Sequence, residues 1–288
     1  LKELEDRAWP NRHLSRFVQA AGLRWHVQEA GEGPTMLLIH GTAASTHSWR
    51  DLLPILSQRY RVLAVDLPGH GFTDRAPKRQ ISIAGMGGAL AQLLRELAFE
   101  PAFVVGHSAG AVISCRMALD RAIRPRVIIS INGAFLPMEG MLGTLFSPFA
   151  KLLASTAFLP KFLASRMSSA SNVARVLAGT GSHLSEQGVS YYAQLISNPR
   201  HLAGALDMMS QWDLGAFAHE MARLEVPLAL LVAGNDHAVP PTQAELVKQR
   251  VAGATLETLP GLGHLAHEED PALVAERILQ ICSAYARA

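Results

Sequence analysis

Apolar and polar positions change period along the chain, and the changes mark out elements. Residues 16–30, "RFVQAAGLRWHVQEA", alternate on both sides of Ala21-Gly22 and predict an antiparallel hairpin. "TMLLIHG" (35–41) and "RVLAVDLPG" (61–69) are short, almost wholly apolar runs, as in strands buried on both faces. "AGMGGALAQLLREL" (84–97) has helical spacing, weakened by its glycines. A strand, "AFVVGHS" (102–108), leads directly into a helix, "AGAVISCRMALDRA" (109–122), and "RVIISINGA" (126–134) is the next strand. The rhythm resumes late, with strands in "PLALLVAGNDHAVP" (227–240) and "ATLETLPGLGH" (254–264), a helix over 242–250 between them and a closing helix from Pro271. Strands alternating with helices predict βαβ units and a parallel sheet with helices on both faces, an α/β fold.

The rhythm breaks between about 137 and 208. "FSPFAKLLASTAFLPKFLASRM" reads as short helices punctuated by Pro148 and Pro160. The expected organisation is a core of 1–136 and 209–288 with a helical lid, 137–208, inserted between two strands of the sheet. From 140 to 185 there is no Asp or Glu, while Lys151, Lys161, Arg166 and Arg175 are present. Either these cations simply face water, or they make a greasy, weakly cationic surface suited to an apolar substrate bearing carboxylates or to peripheral membrane contact.

The 288 residues suit one large domain with an insertion, and 49% hydrophobic against 17% charged residues supports a large core. A net charge of +2, from 26 basic and 24 acidic side chains, argues against a nucleic-acid partner. The two cysteines, Cys115 and Cys282, lie in apolar helical runs and read as buried free thiols. The charged start "LKELEDRAWPNRH" lacks an apolar signal core, and no apolar run reaches the ~20 residues of a membrane helix, so a cytoplasmic protein is expected.

Candidate chemistry centres on Gly106-His107-Ser108-Ala109-Gly110, the G-x-S-x-G pattern at a strand-to-helix joint. Such a turn strains the serine backbone and needs small neighbours where strand and helix approach. It also sets Ser108 at a helix N-terminus, where the Ala109 N–H could bind an oxyanion. A serine needs a base and an orienting acid, and Asp236 and His264 each follow a late strand, at the end where parallel sheets gather functional groups. His267 is a rival base and Asp213 a minor alternative acid, while His107 is expected to pack away from the site. A second oxyanion donor is available in the Thr42 N–H, with His40 and Gly41 organising that loop. "DLPGHG" (66–71) is a turn to which no chemistry is assigned. No metal cluster or phosphate-binding glycine loop is evident, and no cofactor is expected.

Together, His40-Gly41, "DLPGHG", Gly106-x-Ser108-x-Gly110, Asp236 and Gly263-His264 resemble the α/β-hydrolase superfamily across nearly the whole chain. The resemblance implies an eight-stranded, mostly parallel sheet with a helical cap after the sixth strand. More narrowly, "WPNRHLSRFV", "LRWHVQ", "HGTAASTHSWRDLLP", "GHSAGAVISCRMALD" and "INGAFLP" followed by "FSPFAKLLA" resemble the magnesium-chelatase accessory proteins of bacteriochlorophyll synthesis. That likeness implies a tetrapyrrole and chelatase subunits as partners. Three readings follow. One is a serine hydrolase with a Ser108-His264-Asp236 triad cutting an ester of an apolar substrate. The second is a non-catalytic accessory protein binding porphyrin or a chelatase subunit. The third is a carbon–carbon bond hydrolase, although such enzymes often carry glycine after His-Gly, where this chain has Thr42-Ala43-Ala44. Dehalogenases and epoxide hydrolases of this fold use Asp at the elbow, which Ser108 argues against.

Overall fold

The computed structural model describes residues 9–137 and 169–286. Eight strands form one sheet: β1 (Ser15–Ala20), β2 (Leu23–Ala30), β3 (Thr35–Ile39), β4 (Arg61–Val65), β5 (Phe103–His107), β6 (Val127–Ile131), β7 (Leu228–Ala233) and β8 (Thr255–Leu259). Their order is β1-β2-β4-β3-β5-β6-β7-β8. β2 pairs antiparallel with β1 and β4, and every later pairing is parallel. The hairpin predicted around Ala21-Gly22 is present, with both residues at positive φ.

The helices are α1 (Leu52–Leu56), α2 (Ile83–Glu96), α3 (Ala109–Leu119), α4 (Ala170–Gly179), α5 (Glu186–Ile196), α6 (Pro199–Gln211), α7 (Leu214–Glu220), α8 (Thr242–Arg250), α9 (Ala266–Glu269) and α10 (Pro271–Ala286). The period of two along each strand sorts the core into two layers. Leu37, Ile39, Val104, Ile128, Leu228 and Leu230 share one cluster with residues of α2, α3 and α8. Their chain neighbours Met36, Leu38, Val105, Ile129, Ala229 and Leu231 share the other with α1 and α10. β5, β6 and β7 are buried at every position, which explains their unbroken apolar runs. Each buried Leu, Ile or Val contributes about 1.5–3 kcal/mol relative to exposure. The two cysteines are free and buried.

Among the described residues, four helices, α4 to α7, lie between β6 and β7. α6 runs through position 208, where the sequence reading ends the insertion, and α7 follows it before β7. Ser169, Ser185, Asn198 and Asp213 each cap the helix they precede by accepting a backbone N–H. Val173, Leu177, Tyr192 and Ile196 of this cap bury themselves with Ala44 and Leu265, which lie in loops leaving β3 and β8. The short helices expected around Pro148 and Pro160 fall outside the described residues, as do Lys151, Lys161 and Arg166. Among the described residues, no helix is long and apolar enough to cross a membrane.

Candidate active site

Ser108 joins β5 to α3 with φ 50° and ψ −113°, a conformation that costs a non-glycine residue on the order of 1–3 kcal/mol. Its neighbours show why the joint needs glycine. A Cβ on Gly106 would meet the Ala111 nitrogen at 2.5 Å, and one on Gly110 would collide with the Ile39 carbonyl oxygen. The strand and helix are pressed together there, and the tight turn lifts Ser108 to the sheet's C-terminal edge. Backbone bonds fix it from both sides: Ser108 N–H donates to the Ile131 carbonyl at 2.9 Å, and its own carbonyl accepts from Ala111 and Ala134.

Asp236 and His264 come from the loops after β7 and β8. His264 Nδ1 donates to Asp236 Oδ2 at 2.7 Å. Asp236 Oδ1 accepts the N–H groups of Ala238 and Val239, each at 2.8 Å. Three donors thus meet on the carboxylate, and the pairing selects the tautomer in which His264 Nδ1 carries a proton toward Asp236. Asp236 is buried, whereas the His264 side chain keeps 12% of its surface.

The turn at 41–44 leans on Ser108, since a Cβ on Gly41 would sit 3.0 Å from the Ser108 Cβ. Its ends are closed by the Ala44 N–H donating to the Gly41 carbonyl at 3.2 Å, with Ala43 at φ 61°. His40 lies beneath it: Nδ1 donates to the same Gly41 carbonyl at 2.7 Å, while Nε2 accepts the Leu67 N–H at 2.9 Å. Among the described residues, neither the Thr42 N–H nor the Ala109 N–H has a hydrogen-bond partner.

The rivals are placed elsewhere. His267 is fully buried between the rings of Trp49 and His107, without a hydrogen-bond partner on either nitrogen, and burial pushes its pKa down to about 3. Asp213 caps α7 through the Ala216 N–H. His107, expected to pack away from the site, lies with its ring centroid 4.8 Å from that of His264 and donates from Nε2 to the His264 carbonyl at 2.9 Å.

Several supporting residues escaped the sequence reading. Asn132, at φ 48° just past β6, donates to the carbonyls of Gly263 (3.1 Å) and His264 (2.9 Å) and accepts the Ala233 N–H (2.8 Å). One amide thus ties together the ends of β6 and β7 and the loop carrying His264. From the cap, the Thr180 carbonyl accepts the N–H groups of His237 and His264, and Ser182 Oγ accepts the Leu265 N–H at 2.8 Å. Asp66, in the turn given no chemistry, is buried and binds His26 Nδ1, Thr46 N–H and Phe72 N–H. Burial alone would raise its pKa, but these partners hold the carboxyl well below its usual range. An Asn at a strand end was the one readable signal, because Asn tolerates left-handed backbone. A main-chain carbonyl such as that of Thr180 leaves none.

Among the described residues, no group of three or more His, Cys, Asp and Glu is placed to hold a metal ion. Residues 34–271 match the family model described as the alpha/beta hydrolase fold. The chain belongs to the α/β-hydrolase family. Within that family it is 37% identical over 262 residues to the Magnesium-chelatase 30 kDa subunit of Rhodobacter capsulatus, covering 90% of this chain and 91% of that protein. The crystal structure of an α/β-hydrolase fold protein from Burkholderia ambifaria superposes with a TM-score of 0.78 at 24% identity, covering 93% of this chain and 97% of that one. Epoxide hydrolase VrEH1 of Vigna radiata gives a TM-score of 0.77 at 21% identity, with 94% and 98% covered. At those identities the two structures bear on the α/β-hydrolase architecture alone.

Proposed function

We propose that the chain is a serine hydrolase that cleaves an ester of an apolar substrate, with Ser108 as nucleophile, His264 as base and Asp236 as its orienting acid. The observation that carries this reading is the 2.7 Å pairing of His264 Nδ1 with an Asp236 that two further N–H groups hold in place, at the sheet edge where the strained elbow presents Ser108. In the reaction, Ser108 Oγ attacks the acyl carbon as its proton passes to His264 Nε2. The carbonyl oxygen becomes an oxyanion held by the Thr42 and Ala109 N–H groups, each such donor being worth about 3 kcal/mol. Collapse expels the alcohol, which takes the proton from His264. Water, deprotonated by the same imidazole, then releases the acid and restores Ser108.

A fluorophosphonate probe tests the assignment. Wild type should be labelled, and Ser108→Ala and His264→Ala should not, with unchanged melting temperatures. Labelling that survives Ser108→Ala would overturn it.

The likeness to a magnesium-chelatase subunit supports placing this activity beside magnesium chelatase, with a tetrapyrrole as the apolar substrate. It also favours a second reading, in which the chain binds a tetrapyrrole or a chelatase subunit without bond cleavage. Under that reading, Ser108→Ala would still support magnesium insertion in a reconstituted chelatase assay. Under the first it would not.

A further inference from the structure

Helix α6 belongs to the cap, yet one of its side chains reaches two loops of the sheet edge. His201 is buried to 1% exposure in the first turns of α6. Its Nδ1 accepts the Gly71 N–H at 2.9 Å, and its Nε2 donates to the Ala43 carbonyl at 3.1 Å. An amide N–H only donates and a carbonyl only accepts, so the ring is neutral with its proton on Nε2. The helix is seated closely: a Cβ on Gly69 would lie 2.9 Å from the Gly204 Cα, and Gly204 in turn has no room for one against the Gly69 backbone.

Ala43 is the residue at φ 61° in the turn whose Thr42 N–H is unpartnered among the described residues. An L-residue held there relaxes unless its surroundings hold it. His40 grips the turn from the sheet side through the Gly41 carbonyl, and His201 grips it from the cap side through the Ala43 carbonyl. Thr42 Oγ1 also points at Met208 Sδ of the same helix, 3.7 Å away.

We propose that His201 is a positioning residue: its Nε2–H holds the Ala43 carbonyl so that the Thr42 N–H is aimed as an oxyanion donor only while α6 is docked. This rests on the serine-hydrolase reading and adds to it that the cap completes the oxyanion site.

Two variants separate the two bonds of His201. His201→Gln carries an amide N–H long enough to reach the Ala43 carbonyl. His201→Asn places its carbonyl oxygen where Nδ1 accepts Gly71 and leaves Ala43 without a donor. The measurement is fluorophosphonate labelling, resolved into maximal rate and half-saturating probe concentration, alongside thermal melting. His201→Gln should label within about threefold of wild type. His201→Asn and His201→Ala should lose about tenfold or more in maximal rate, with half-saturation unchanged. The Gln and Asn variants bury similar amides, so their comparison stands even if His201→Ala does not fold. Equal maximal rates for Gln and Asn, or a wild-type rate in His201→Ala, would overturn the positioning role while leaving the hydrolase reading intact. Absence of labelling in wild type would overturn the hydrolase reading and, with it, this one.

Discussion

The sheet and the cap hold the same site by different means. On the sheet side, Ser108 is placed by contact: glycines at 106 and 110 let α3 press onto β5 and β3, and apolar layers lock the strands beneath. On the cap side, close backbone approaches at Gly69–Gly204 and Gly263–Ser182 are joined by hydrogen bonds, largely to main-chain atoms, that aim the loops. Thr180, Ser182 and His201 bind the peptide groups of His237, His264, Leu265, Gly71 and Ala43. Close packing is intolerant of added volume, whereas a hydrogen-bonded seam fails one bond at a time. The sheet should therefore respond to substitution by losing the fold, and the cap by losing alignment.

The largest effect is expected at the elbow. Gly110→Ala drives a methyl into the Ile39 carbonyl and should cost about 3 kcal/mol or more, read as loss of soluble protein or a collapse in melting temperature. Asn132→Leu comes next, because it strands the Ala233 N–H and the Gly263 carbonyl and leaves the His264 carbonyl with His107 as its one remaining side-chain donor. We expect about 2–3 kcal/mol in denaturant unfolding, with labelling slowed well beyond what that loss of folded protein explains. Gly204→Ala should cost about 1–3 kcal/mol as α6 is pushed off Gly69, with slower labelling by the surviving folded fraction. Ser182→Ala removes one bond to Leu265 and should cost only about 1 kcal/mol. If Ser182→Ala destabilised as much as Gly110→Ala, the distinction between the two halves would be wrong.

Acid sharpens the same comparison. Burial depresses the pKa of His201 to about 4 and of His267 to about 3, from 6.5. Their neutral forms stabilise the fold fully above 6.5, and that contribution is lost as pH falls below it, because the unfolded chain binds protons first. Glu268 behaves oppositely. Burial raises it to about 7 from 4.5, against the pull of Arg50 and Tyr192, so its contribution is present below 4.5 and is lost as pH rises through 7. Melting temperature should fall on acidification below about 6.5, and Glu268→Gln should steepen that fall by removing the opposing proton.

What was legible follows the same division. The strands and the strand-to-helix joint at Ser108 were readable, because burial on two faces writes itself as apolar runs and a tight joint needs glycine at fixed spacing. The ring of His107, expected to pack away from the site, lies beside that of His264, with 4.8 Å between centroids, because it serves the His264 carbonyl. The role of Asp66 was not legible: its partners lie at His26 and Thr46, remote in sequence. His201 was equally silent, since one histidine in an amphipathic helix carries no period, motif or spacing. Thr180 acts through an atom that every residue type possesses.

That last point bears on how such a chain can change over time. The seam at 180–182 asks for glycine at 181, where a Cβ would collide with the Asn235 carbonyl oxygen, and a hydroxyl at 182, but of position 180 it asks only length, because the Thr180 carbonyl must arrive at both His237 and His264. A Cβ on Gly263 would meet the Ser182 nitrogen at 2.5 Å, so the two backbones already touch. Substitutions on the outer faces of α4 and α5 are therefore cheap, while one residue added or removed between these helices would unhook the loops carrying Asp236 and His264 together. A cap transplanted from a relative would be accepted or rejected at this joint by the length of its α4–α5 connection, whatever pocket it brought with it.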